Sequence, residues 1–154
     1  DPNYKMNPPL RTQKDVDALI AGLKDGSFQV ISTDHAPHAA ADKTGSIRDA
    51  AFGIVGIETS FALTYTALVE TGILTLTQLV EKMSWNPAQI LKSDRGTLQE
   101  GHPADVVIAD IDTEYEIDKT KFASKGRNTP FDGWKVKGKI LYTICDGKIV
   151  YQEV

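Results

Sequence analysis

The stretch Val30-Ile31-Ser32-Thr33-Asp34-His35-Ala36-Pro37-His38 constrains this chain more than any other. It starts apolar and β-branched, as a strand buried on both faces does. It ends in one carboxylate and two imidazoles, with Pro37 unable to donate to a ladder. Titratable side chains at the carboxyl end of a buried parallel strand are how a (β/α) barrel carries chemistry. A strand running into a polar turn, with Asp34 capping an amide and the histidines solvated, fits the same residues. The flanking chain has to decide.

Before this stretch, Pro8-Pro9 forbids a helix, and Thr12 with Asp15 forms a capping box for the next one. Val16, Leu19, Ile20 and Leu23 recur at helical spacing, and Gly26 closes the helix. A strand over Phe28–Thr33 follows. Helix, short loop and buried strand make half of a βαβ unit. After His38 the segment Ala39–Ala51 has no clear period. It is long for a strand-to-helix loop and is either a functional loop or a surface insertion. Ile57, Phe61, Tyr65 and Leu68 mark a helix face ending at Gly72, and Thr75 caps a helix with Leu76, Leu79, Val80 and Met83 inward. Asn86-Pro87 reads as the N-cap and first position of a short further helix.

The pattern changes near Lys92–Gly96. Ala104–Ala109 reads as a buried strand, and Lys139–Cys145 and Lys148–Gln152 flank Asp146-Gly147, a type I′ hairpin signal. The expected organisation is α/β over residues 1–93 and a small β domain over 94–154. Trp85 and Trp134 read as packing anchors, His102 as a solvated turn residue and Cys145 as inert.

The 154 residues carry a net charge of −4 with no basic block, which gives no footprint for nucleic acid or an anionic membrane. A single cysteine excludes an internal disulfide and fits a reducing, cytoplasmic setting. No apolar run approaches the roughly 20 residues that span a bilayer. The chain opens on Asp1 rather than methionine.

Imidazole nitrogen and carboxylate oxygen both suit zinc, but a catalytic zinc site needs at least three protein ligands. Asp34 and His35 point to opposite faces of a continued strand. A site shared with residues elsewhere is therefore favoured over a self-contained one. In it, Asp34 would bind the metal and take a proton from water, while His38 would hold an anionic or carbonyl group of the substrate. Asn7, with an amide donor and acceptor, can read an amide or imide edge.

Ser32–His38, together with Lys5-Met6-Asn7-Pro8-Pro9-Leu10-Arg11, resembles the dihydroorotases of the amidohydrolase superfamily, in their bacterial class I type. Phe52–Thr59, Asn86-Pro87-Ala88 and Gly101-His102-Pro103-Ala104-Asp105 are similar in order and spacing, so the resemblance covers essentially the whole chain. It implies a zinc-dependent cyclic amide hydrolase that interconverts L-dihydroorotate and N-carbamoyl-L-aspartate in pyrimidine synthesis. It further implies Asp34 as last metal ligand and general acid/base, and Asn7, His38 and the Phe52-Gly53 backbone as substrate contacts. The Ala39–Ala51 loop would then lie over the pocket mouth.

A (β/α)8 barrel takes roughly 250 residues. The resemblance therefore implies the C-terminal part of such a barrel followed by a small β-sandwich domain. The family's other ligands, which would hold one or two zinc ions, would lie upstream of this chain. A homo-oligomer is expected, and aspartate transcarbamoylase is a candidate partner. The alternatives are a non-catalytic structural partner of that transcarbamoylase and a related hydantoinase or allantoinase.

Overall fold

The computed structural model describes residues 1–153. The first half is helical. Helix α1 spans Gln13–Asp25, and the Asp15 carboxylate accepts from the Thr12 amide, as a capping box requires, and from the Thr12 hydroxyl besides. Gly26 ends it in the left-handed region at φ +85. Gly22 faces Phe28 so closely that a Cβ there would lie 2.5 Å from the ring, which seats the chain leaving α1 against the helix.

Two helical rods follow. In the first, α2 (Ser60–Thr64) continues into a π turn over Tyr65–Val69, where the Glu70 amide reaches back to the Tyr65 carbonyl. In the second, α3 (Leu76–Val80) runs through a π turn, Glu81–Trp85, into α4 (Asn86–Ile90). Thr75 caps α3, accepting from the Gln78 amide at 3.2 Å. Asn86, however, is no N-cap. It lies inside this rod at φ −62, ψ −44, and its side chain donates to the Gln29 carbonyl at 2.8 Å. Pro87 is tolerated there because it follows the π turn, where the main-chain bonding pattern has already shifted.

The expected strand Phe28–Thr33 forms no ladder. A strand needs a neighbour, and among the described residues none pairs with this stretch. Its backbone groups go to the second rod instead. The Ile31 amide donates to the Lys82 carbonyl at 3.0 Å, and the buried Lys82 ammonium donates to the Phe28 carbonyl at 2.6 Å. Burial of backbone polar groups demands such substitutes.

All laddered strands lie in the second half. A three-stranded antiparallel sheet has the order β1 (Val106–Asp110), β4 (Lys139–Cys145), β5 (Lys148–Gln152), and β2 (Tyr115–Glu116) pairs with β3 (Lys135–Val136). The β4–β5 turn has Asp146 at φ +48 and Gly147 at φ +75, the double positive φ of a type I′ hairpin. Arg95 pairs with both Asp105 and Asp146, fastening this hairpin tip to the turn before β1. His102 is exposed, with its Nδ1 2.7 Å from the Asp94 carbonyl. The strand expected to be buried is open in its middle, with Val107 56% and Ile108 46% exposed.

The core joins the two halves. Ala62 of α2 is buried with Ile117 and Val136, and Leu63, Tyr115, Phe122 and Phe131 pack around them. Gly138 allows this closeness, since a Cβ there would sit 3.1 Å from the Phe61 ring. Glu58 adds a polar tie by accepting from the amides of Ala123 (2.8 Å) and Ser124 (3.1 Å). The second half therefore docks on the start of the first rod, beside the segment that carries the titratable residues.

Candidate active site

Asp34 stands at the turn after the Ile31–Thr33 stretch with φ +45, a conformation a non-glycine residue adopts at a cost of order 1 kcal/mol. Its carboxylate is exposed and makes no hydrogen bond or ion pair among the described residues. It caps nothing. A strained, exposed, unpartnered carboxylate at the end of the central stretch is free to take a ligand.

The two histidines part company. Nδ1 of His35 accepts from the amides of Gly56 (3.0 Å) and Ile57 (3.3 Å), so this ring organises the turn that leads into α2. The close approach is possible because residue 56 is glycine, where a Cβ would meet Thr33 at 2.9 Å. His38 is half-buried, with Nε2 2.7 Å from the Phe52 carbonyl. That carbonyl is an acceptor only, so Nε2 carries the proton and Nδ1 is left to accept, or to donate when the ring is charged.

Phe52 and Gly53 form the opposite wall. The Phe52 ring is 57% exposed and lies under the Lys5 ammonium, 4.4 Å from its centroid. Gly53 has φ +122, and a Cβ there would strike the Ala36 Cβ at 2.5 Å and approach His38 Nε2 at 3.3 Å. Its amide donates to the Lys5 carbonyl at 3.0 Å, which ties this wall to the segment carrying Asn7. Asn7 is exposed, and its side chain makes no hydrogen bond among the described residues. The structure thus brings His38, Phe52 and Gly53 into one hydrogen-bonded cluster. Asn7 and Asp34 keep free, exposed polar ends on the segments that lead into it.

Two residues that hold the cluster carry no pattern in the sequence. Asn128 is buried, 90 residues beyond His38. Its Oδ1 accepts from the His38 amide at 2.9 Å, its Nδ2 donates to the carbonyls of Ala36 (2.9 Å) and Gly53 (3.0 Å), and its own carbonyl accepts from Val55. Gly126 lets its segment lie against Pro37, where a Cβ would come within 2.7 Å. Lys43 is the second. It sits in a 3-10 turn, Ala40–Lys43, at 8% exposure. Burial, aided by the nearby Lys5 charge, holds its ammonium below the ordinary lysine pKa.

No group of three or more His, Cys, Asp or Glu side chains is disposed to hold a metal ion among the described residues. His35 Nδ1 is committed to two amides and His38 Nε2 to a carbonyl, so the Asp34 carboxylate, His35 Nε2 and His38 Nδ1 are the uncommitted donors here among the described residues. These residues fit a metal ion only as contributors to a shared site, with Asp34 the exposed carboxylate.

The chain is 56% identical over all of its 154 residues to a dihydroorotase of Brevibacillus brevis and 54% identical over 98% of its length to one from Lactiplantibacillus plantarum. It spans about 36% and 35% of those relatives. Among solved structures it superposes on the L-hydantoinase (dihydropyrimidinase) from Arthrobacter aurescens with a TM-score of 0.92 and 34% identity, covering 98% of this chain and 35% of that one. For a D-hydantoinase from a Thermus species the TM-score is 0.88 at 26% identity, with 98% and 34% covered. The α/β fold of the chain is thus that of about one third of a hydantoinase. The model of the amidohydrolase family matches residues 7–150, and the chain belongs to that family.

Proposed function

We propose that this chain is the C-terminal part of a dihydroorotase, a zinc-dependent enzyme that interconverts L-dihydroorotate and N-carbamoyl-L-aspartate in pyrimidine synthesis. The observation that carries this reading is the higher identity to dihydroorotases, 52–56% across the chain, than to the hydantoinases whose fold it shares, 34% or less among those compared. The exposed carboxylate of Asp34, four residues before the fixed imidazole of His38, supports it chemically.

In this reading residues 1–93 complete a (β/α)8 barrel and residues 94–154 form a small β domain packed on it. Asp34 supplies one carboxylate to one or two zinc ions whose other ligands lie elsewhere in a longer polypeptide. Zinc, when bound, polarises the ring carbonyl and lowers the pKa of water towards about 7. Asp34 takes one proton from the attacking water as the new carbon–oxygen bond forms, and returns it to the ring nitrogen as the carbon–nitrogen bond breaks. His38, in its imidazolium form, donates from Nδ1 to the substrate carboxylate and from Nε2 to the Phe52 carbonyl, and Asn7 and the Phe52-Gly53 backbone read the amide edge. Because the Gly53 amide and both lone pairs of the Gly53 carbonyl are already bonded within the chain, the Phe52 amide and the second lone pair of the Phe52 carbonyl are what this wall has left to offer among the described residues. The enzyme works in the cytoplasm as a homo-oligomer, with aspartate transcarbamoylase as a candidate partner.

A second reading, a hydantoinase, is favoured by the structural neighbours. Turnover of L-dihydroorotate, hydantoin and allantoin by the full-length protein tests both. Dihydroorotate is expected to have the highest kcat/KM, and preference for hydantoin would reassign the substrate.

A further inference from the structure

The Ala39–Ala51 loop is closed at its neck by a buried cation. The Lys43 ammonium donates to the carbonyls of Ala51 (2.9 Å), Gly53 (3.0 Å) and Lys5 (3.1 Å), which matches its three N–H groups with three acceptors. These carbonyls belong to three different places: the end of the loop, the wall of the candidate site and the segment that carries Asn7. No carboxylate lies within ion-pairing distance among the described residues. A buried charge without a counter-ion persists only where hydrogen bonds replace its water, and here they do. The Ala51 amide also donates to the Asp42 carbonyl at 2.8 Å, so this residue is held at both its amide and its carbonyl. The far side of the loop is held separately, by the Lys5 ammonium donating to the Arg48 carbonyl at 2.7 Å.

We propose that Lys43 is the positioning residue of this site: it fixes the Phe52-Gly53 wall and the Asn7 segment relative to each other and holds the loop neck over them. The proposal rests on the dihydroorotase reading for its substrate, but its geometry does not. Lys43 spends every donor on the protein, so it touches no substrate and takes no part in proton transfer. Losing it leaves the Lys5 carbonyl with the Gly53 amide and the Gly53 carbonyl with Asn128, while the Ala51 carbonyl keeps no partner among the described residues. The cluster therefore loosens without coming apart. A loosened wall weakens substrate binding more than it slows the chemistry at Asp34.

The test uses the full-length protein with Lys43→Met, which keeps the apolar stem and removes the donors. KM for L-dihydroorotate should rise at least tenfold with kcat within about threefold of the parent. Backbone amide exchange over residues 40–53 should quicken at least tenfold. Unchanged KM, or a fall in kcat alone, overturns the proposal. Should Lys43→Met fail to fold, Lys43→Arg decides. It retains charged donors, so KM within about threefold of the parent supports the account, and a tenfold rise overturns it. If the parent protein turns over no dihydroorotate, the functional reading fails. The exchange measurement then decides the clamp alone, and unchanged exchange in Lys43→Met refutes it.

Discussion

Asn128→Ala is the substitution whose cost the structure defines best. It removes three side-chain hydrogen bonds, but the consequences at their far ends differ. The Gly53 carbonyl retains the Lys43 ammonium at 3.0 Å. The His38 amide and the Ala36 carbonyl keep no other partner among the described residues. Each orphaned group costs about 1–3 kcal/mol when water cannot replace the partner. His38 and Ala36 are half-buried, so some water enters, and the lower end applies. The loss should be about 2 kcal/mol. With a urea dependence of about 1–3 kcal/mol per molar, the unfolding midpoint falls by about 1 M. Asn128→Asp separates the two roles of the side chain. It keeps the acceptor for the His38 amide but aims a carboxylate at the carbonyls of Ala36 and Gly53, and it should destabilise more than alanine. A midpoint shift below about 0.3 M for Asn128→Ala, or a milder effect for Asn128→Asp, would refute this reasoning.

Three further outcomes are expected. Gly53→Ala combines a positive φ with a 2.5 Å clash against Ala36 Cβ, so it should cost at least about 2 kcal/mol in urea unfolding and displace His38 from the Phe52 carbonyl, seen as a shifted His38 imidazole resonance. Asp34→Gly relieves a non-glycine residue at φ +45 and removes no hydrogen bond, so it should raise stability by up to about 1 kcal/mol while abolishing turnover in the full-length protein. Acid should weaken the β half. Asp105 is held below the ordinary carboxylate value of 3.8 by the Asp146 amide and Arg95, Asp118 by Thr120, and Asp132 by Lys119. Such depressed groups contribute stability that is complete above 3.8 and is lost as pH falls through their lower folded values. Protection factors of the β1 and β4 amides, which are corrected for the intrinsic pH dependence of exchange, should therefore fall below about pH 3.8 and stay flat from there to neutrality.

The local grammar of the chain was largely legible. Thr12 and Thr75 cap helices, Gly26 closes one, and Asp146-Gly147 turns a hairpin, because each depends on residues within a few positions. The run Phe28–Thr33 forms no ladder here, because an apolar β-branched run states only a preference and a ladder requires a partner that the described residues do not provide. Asn86-Pro87 was misread for a related reason. A proline after a π turn continues a rod that α-helical spacing alone would end there.

At the site, the residue types of Asp34 and His38 stood out, but the division of labour between His35 and His38 did not. Both are histidines beside a carboxylate, and only the partners of their ring nitrogens separate a turn organiser from a wall-bound group. Asn128 and Lys43 were invisible in the sequence. One acts across 90 residues, and the other sits in a loop without periodicity, where a lysine is read as solvated. Burial of a lysine in such a loop was the signal, and it exists only in three dimensions.

In the proposed reading Asp34 completes a metal site whose other ligands lie outside this chain. The most direct measurement of this is L-dihydroorotate hydrolysis with added zinc by three samples: this chain alone, the full-length protein, and the full-length protein bearing Asp34→Ala. The account predicts turnover in the unaltered full-length protein only. Turnover by the chain alone, or undiminished turnover with Asp34→Ala, would contradict it.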